Sequence, residues 1–265
     1  MDLSSFAQPA VRRRFAPQRG LTLIELVVVL TVLTALGSLL VPVIDNMISR
    51  THFAKCSITI PDVSRNIMRS FAADLTYPDR WDSLIDAADG SSLFPRNPGG
   101  ADVGGELTTA TLTQQQVDGL AALGITEVVD LDATADDATW ASAPLGAGIR
   151  TLASGETVAV LNTAGNSVRS LNLKRHLDDA TVEYIVFGIG NNSTAVGPTG
   201  LFNEAPTHFG GEDAMNPIDV YQRYCVVFSV NGEGDVHFEL ACSVHPDGFD
   251  GAEAHVIGYY EETRK

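Results

Sequence analysis

The longest uninterrupted pattern in the chain is apolar. From Leu21 to Ile44 the only charged residue is Glu25, and Asn, Gln, Lys and Arg are absent. As a helix this run measures about 36 Å at 1.5 Å per residue, and a bilayer core needs about 20 apolar residues. Beyond it, Ile44, Met47, Ile48 and Phe53 set against Asp45, Asn46, Arg50 and Lys55 continue the helix amphipathically to about Ser57. Pro42 lies inside this helix, where it removes a hydrogen bond and predicts a bend. Thr59-Ile60-Pro61-Asp62 reads as a fresh start, Thr59 the cap and Pro61 in the first turn. That second helix runs to about Leu75, with Val63, Ile67, Met68 and Phe71 inward. Tyr77 to Glu106 is rich in Gly, Pro, Asp and Ser and reads as loops. Thr113 and Gln116 stand at capping-box spacing before a helix that Gly124 closes, and Asp130 to Gly148 is an acidic, Ala-rich connection.

Alternation replaces helical spacing in the second half. Glu127–Leu131, Thr157–Leu161, Val182–Phe187, Tyr224–Val230 and Val236–Val244 predict strands, the last two joined by the turn composition Gly232-Glu233-Gly234-Asp235. The expected fold is α+β: a long N-terminal transmembrane helix packed on a C-terminal antiparallel β-sheet head. Residues 1–20 form a basic leader, 21–57 the membrane helix and 58–265 the head.

Charge sharpens the reading. Arg12, Arg13, Arg14 and Arg19 precede the span, which keeps that end cytoplasmic and the head on the far side. The apolar run is too long for an ordinary secretory signal, and no Ala-x-Ala-like site follows it. The net charge of −16 argues against nucleic acid as a partner. Glu25 is the anomaly, since an acid in hydrocarbon costs at least ~2.5 kcal/mol and normally has a partner waiting.

Arg19-Gly20-Leu21-Thr22-Leu23-Ile24-Glu25-Leu26-Val27-Val28-Val29 resembles the class III signal of type IV pilins and type II secretion pseudopilins. The resemblance covers about the first 45 residues. It implies a pilin-like stem, cleavage by a prepilin peptidase between Gly20 and Leu21, and methylation of the new terminus. Glu25 and Pro42 fall in the family register, and Leu21 stands where Phe is usual. By the same resemblance the protein is a structural subunit of a pilus-like filament, not an enzyme. It starts in the bacterial inner membrane, and its partners are prepilin peptidase and other pilin or pseudopilin subunits. A type II secretion pseudopilin supporting protein export is the leading reading, and a type IV pilin or minor pilin acting in adhesion or motility the runner-up. A single-pass membrane-anchored enzyme or binding domain is the alternative from another class.

A turn centred on Glu233-Gly234 sets Cys225 opposite Cys242, at a separation suited to a disulfide. Two buried thiols side by side is the other reading. Cys56 reads as a packed free thiol rather than a ligand. No Gly-x-Ser-x-Gly elbow, His-Glu-x-x-His pair or phosphate-binding Gly-x-x-x-x-Gly-Lys-Ser/Thr loop is present. Gly188-Ile-Gly190-Asn-Asn lacks the third glycine of a dinucleotide site and reads as a turn. The six histidines lack metal-ligand spacing; His237 belongs to a strand, and His52, His176, His208, His245 and His255 read as surface residues. Asp247, Asp250 and Glu253 gather carboxylates among glycines. Hard oxygen ligands on a turn suit Ca²⁺, but the spacing departs from the EF-hand pattern and a solvated turn is the preferred reading. No other cofactor is expected.

Overall fold

The computed structural model describes residues 22–88, 90, 106–131, 146–207, 221–245 and 248–264. The chain divides into two compact units between Ile44 and Asp45. Helix α1 (Leu23–Asp74) contributes to both, with Pro42 and Pro61 inside it. In the first unit the described side chains of 23–44 are exposed throughout, Leu23 at 81% and Ile24 at 66%.

The predicted restart at Thr59-Pro61 is not made. A proline inside a helix costs roughly 3 kcal/mol, but Ile60 and Val63 on either side of Pro61 are buried in the core, and tertiary burial overrides the local preference. The inward stripe of the second unit is Ser49, His52, Cys56, Ile60, Val63 and Ile67, spaced by three or four residues. Met47, Ile48 and Met68, which the pattern assigned to inner faces, are at least half exposed. Phe71 is half-buried and stacks on Tyr77, ring centroids 4.4 Å apart.

Nine strands are seen among the described residues. The main path runs β4 (Gly146–Thr151), β3 (Glu127–Leu131), β1 (Trp81–Asp86), β6 (Glu183–Gly188), β7 (Cys225–Val230), β8 (Val236–His245) and β9 (Gly248–Asp250). Strand β2 (Leu107–Thr111) pairs with β5 (Thr157–Leu161), which joins β6. The sheet is mixed rather than antiparallel, because β1 and β3 run parallel. Parallel neighbours need a crossover, and the chain between them includes β2 and helix α2 (Gln114–Ala122). Strand β1 also falls in a stretch predicted as loops. Its sequence Trp-Asp-Ser-Leu-Ile-Asp does not alternate, since both faces are buried and Asp82, Ser83 and Asp86 lie inside. Leu84 adopts φ 58° there, within a register shift against β3.

The sheet is covered on both faces. Cys56, Ile60, Val63 and Ile67 of α1 pack with Trp81, Val128, Ile185, Phe187, Val226 and Phe228. Alternate residues Tyr184, Val186, Cys225, Val227, Cys242 and Val244 face the opposite way, toward Val168, Leu171 and Leu173. Val168 lies on α3 (Asn166–Ser170), whose first N–H groups are held by Glu106 at 2.8 Å. A short α4 (Arg175–Asp178) and a closing α5 (Ala252–Thr263) complete the elements. For α2 the capping box between Thr113 and Gln116 forms, and Gly124 follows the C-cap at φ 89°. Helix α2 then meets the β7–β8 turn through glycine alone: a Cβ on Gly119 would lie 1.9 Å from the Gly234 carbonyl oxygen.

Candidate assembly site at the start of the first helix

Thr22 and Glu25 form one structure. The Thr22 carbonyl accepts the first helical bond, from Leu26 N–H at 3.1 Å, which makes Thr22 the N-cap. The Thr22 N–H and hydroxyl donate to Glu25 Oε2 at 2.8 and 2.9 Å, and the Glu25 N–H donates to Thr22 Oγ1 at 3.3 Å. This is a capping box, satisfying donors that every helix start leaves open. It also places the carboxylate at the positive end of the helix dipole. Thr-x-x-Glu spacing was present in the sequence to signal it; reading Glu25 only as an intramembrane acid passed over its partner three residues earlier.

The remaining polar side chains of the run are silenced locally. Thr31 donates to the Val27 carbonyl at 2.8 Å, Thr34 to that of Thr31 at 3.0 Å, and Ser38 to that of Ala35 at 2.8 Å. A hydroxyl bonded to its own helix presents no unmet donor to hydrocarbon. Glu25 is therefore the one polar side chain of residues 23–44 able to reward a partner from outside, and both of the hydrogen bonds it accepts from Thr22 land on Oε2. Around it stand exposed Leu, Val and Ile residues. Among the described residues this is the one helix long and apolar enough to cross a membrane. Pro42 lies further along it.

The other predicted site residues are dispersed. Gly20, Leu21, His208 and Asp247 lie outside the described residues. Asp250 ends β9 and accepts a hydrogen bond from Ser170 Oγ at 2.6 Å, and Glu253 is exposed in the first turn of α5. Cys225 stands opposite Cys242 in the β7–β8 ladder. Both are buried free cysteines here, and burial pushes both thiols up. The pairing arises differently from the sequence expectation. Near the turn Val230 faces Val236, and a register shift at Val227/Phe228, passing over Glu239, brings the cysteines level.

Two histidines depart from the surface reading. His52 and His255 are buried, at 7% and 0% exposure, and lie with Cys56 as a cluster whose donor atoms are all within 4.8 Å of one another. His52 and Cys56 are four residues apart, one turn of α1, so two of the three members were legible as helical spacing. His255 arrives from α5, an element no sequence pattern announced. His237 lies in β8 as expected, and His176 is half-buried on α4, where its backbone N–H donates to Tyr184 Oη at 3.0 Å.

Comparison with curated proteins and with solved structures finds no match. One family model does match, over residues 16–41, described as the prokaryotic N-terminal methylation motif. That interval contains Gly20, Leu21, the Thr22–Glu25 capping box and the three self-bonded hydroxyls. The chain thus carries, on an exposed apolar helix with a single carboxylate at its head, the signature of type IV pilins and pseudopilins.

Proposed function

We propose that the protein is a structural subunit of a pilus-like filament, inserted in the inner membrane with its arginine-rich leader inside and its acidic head translocated. Prepilin peptidase cuts between Gly20 and Leu21 and methylates Leu21. The observation that carries this reading is the methylation motif set on a helix with one carboxylate and no other polar side chain left to find a partner. After cleavage the cationic Leu21 amine of one subunit pairs with Glu25 of its neighbour. In a low dielectric an unpaired carboxylate is heavily penalised, so a subunit shifted along the axis is rejected. Apolar faces that lipid covered are then covered by adjacent stems. The capping box survives this exchange, because cleavage leaves the Thr22 amide in place and the bonds from Thr22 use only Oε2, so the incoming amine meets Oε1.

Within this class we favour a type II secretion pseudopilin supporting export, on the acidic head of a chain whose net charge is −16, which suits neither DNA uptake nor a basic binding role. The opposition of Cys225 and Cys242 favours a type IV pilin or minor pilin as the second reading. Co-expression with a prepilin peptidase tests the class. The expected product begins at methylated Leu21, and Gly20→Ala blocks its formation. Processing unaffected by Gly20→Ala overturns the proposal and leaves a membrane-anchored domain.

A further inference from the structure

We infer that His52, Cys56 and His255 form a site for a thiophilic divalent transition metal, zinc foremost, that fastens the closing helix α5 to α1. Their donor atoms lie within 4.8 Å of one another, all three side chains are buried, and the set is two imidazoles and one sulfur. Tetrahedral zinc takes such ligands at about 2.0–2.3 Å, so a small inward movement closes the shell. A third imidazole is at hand: the His245 ring centroid is 5.4 Å from that of His52 and 5.1 Å from that of His255.

The independent pointer is an orphaned atom. His255 Nδ1 is buried without a hydrogen-bond partner, one of two such side-chain atoms among the described residues, the other being Trp81 Nε1. The opposite nitrogen, Nε2, lies 2.8 Å from Ser243 Oγ, and that hydroxyl donates to the Asp250 carbonyl at 3.4 Å. Ser243 Oγ also lies 3.3 Å from His245 Nε2; with its single proton directed to Asp250 or His245, Ser243 accepts from His255 Nε2–H, the tautomer in which Nδ1 carries a lone pair. Buried polar atoms are rarely left without a partner, and metal-bound histidines characteristically donate their other N–H to a fixed acceptor. Burial and the neighbouring His245 and His52 push His255 down to about 3, so the imidazole is neutral at any physiological pH.

The sulfur is prepared in a matching way. Tyr224 Oη donates to Cys56 Sγ at 3.5 Å, and Sγ lies 3.8 Å from His52 Nδ1. Burial pushes the thiol up, so it is protonated before metal arrives. Binding forms the metal–sulfur bond and releases that proton to solvent, with no change of oxidation state, and affinity therefore rises with pH. Donors of this softness select zinc or copper over the hard cation expected near Asp250. The clamp joins elements already in close contact, since a Cβ on Gly258 of α5 would lie 2.7 Å from the Phe53 ring.

The test uses the full chain in detergent, reduced, without a histidine tag and stripped with chelator. Titration with Co²⁺ should give thiolate-to-metal charge-transfer absorption and tetrahedral visible bands saturating at one ion per chain. Zn²⁺ should displace it, millimolar Ca²⁺ should not, and Zn²⁺ should raise the thermal midpoint of the wild type. Cys56→Ser should remove the charge-transfer band, His255→Gln should weaken binding at least tenfold, and Cys225→Ser should leave both unchanged. Absence of the band in the wild type, which needs no variant to fold, overturns the site. So does a band that survives Cys56→Ser or disappears with Cys225→Ser.

Discussion

Glu25 has two roles in this account, helix cap and inter-subunit partner, and Glu25→Gln separates them. Glutamine serves in a capping box as well as glutamate, so the bond from Thr22 N–H, 2.8 Å in the wild type, has an acceptor in the variant. The helix start should be nearly unaffected, whereas the charge is gone. Two unit charges 4 Å apart at an effective dielectric of about 20 attract by ~4 kcal/mol, and removing one member of a buried pair costs roughly 3–5 kcal/mol. At about 1.4 kcal/mol per decade, subunit affinity should fall by roughly two to three orders of magnitude. The reciprocal change, Thr22→Val, removes the hydroxyl seen at 2.9 Å from Oε2 and 3.3 Å from Glu25 N, and keeps the charge. Loss of an N-cap costs ~0.5–2 kcal/mol, so assembly should weaken by tens-fold at most. The assay is co-expression with prepilin peptidase, N-terminal sequencing to establish cleavage, and the amount of chain in sheared filaments. Both variants should be processed, with Glu25→Gln absent from filaments and Thr22→Val present. Filaments formed normally by Glu25→Gln and lost with Thr22→Val would show that Glu25 acts only within its own helix, and the pairing argument would fail.

Three further outcomes are expected. Asp82 is wholly buried, bonded to Tyr221 Oη at 2.5 Å with Arg223 at 3.8 Å, and burial lifts its carboxyl to about 6. An acid held above its unfolded value, near 4, loses stabilising effect as pH rises between the two, here by about 3 kcal/mol at ~1.4 per unit. Urea midpoints at pH 4, 5 and 6 should therefore show a downward component that Asp82→Asn removes; parallel profiles for the two proteins refute this. Gly119→Ala places a Cβ against the Gly234 carbonyl and should destabilise the head by ~1–3 kcal/mol, read as a lower thermal midpoint. In an oxidising compartment Cys225 and Cys242 should be bridged, at a gain of ~3 kcal/mol for a loop of this size. Intact mass before and after reduction checks this, and an unchanged mass excludes the bridge.

What the sequence disclosed follows the range over which each signal acts. The capping box of α2, the strands β3, β5, β6, β7 and β8, and the helical run after Leu21 all rest on neighbours within a few residues. Strand β1 was hidden because its polar residues turn inward: Asp82 meets Tyr221 and Ser83 meets Asp130, partners 139 and 47 residues away. Pro61 misled for the same reason, since local preference points to a boundary and the burial of Ile60 and Val63 decides otherwise. At the candidate sites, Thr22–Glu25 was legible as spacing. So was the one-turn spacing of His52 and Cys56, but His255 was not, because it comes from α5, far along the chain from α1.

The inward-bonded hydroxyls of Thr31, Thr34 and Ser38 bear on how such a polymer behaves under load. Between Leu26 and Ile44 a stem whose flanks offer only greasy surface has no side-chain latch to its neighbours. In the assembly proposed here, tension would be resisted along the axis at one ring of ion pairs per subunit, while adjoining stems glide over each other at little cost. On that proposal the fibre would lengthen before it parted, and would give its subunits back to the lipid once those pairs opened.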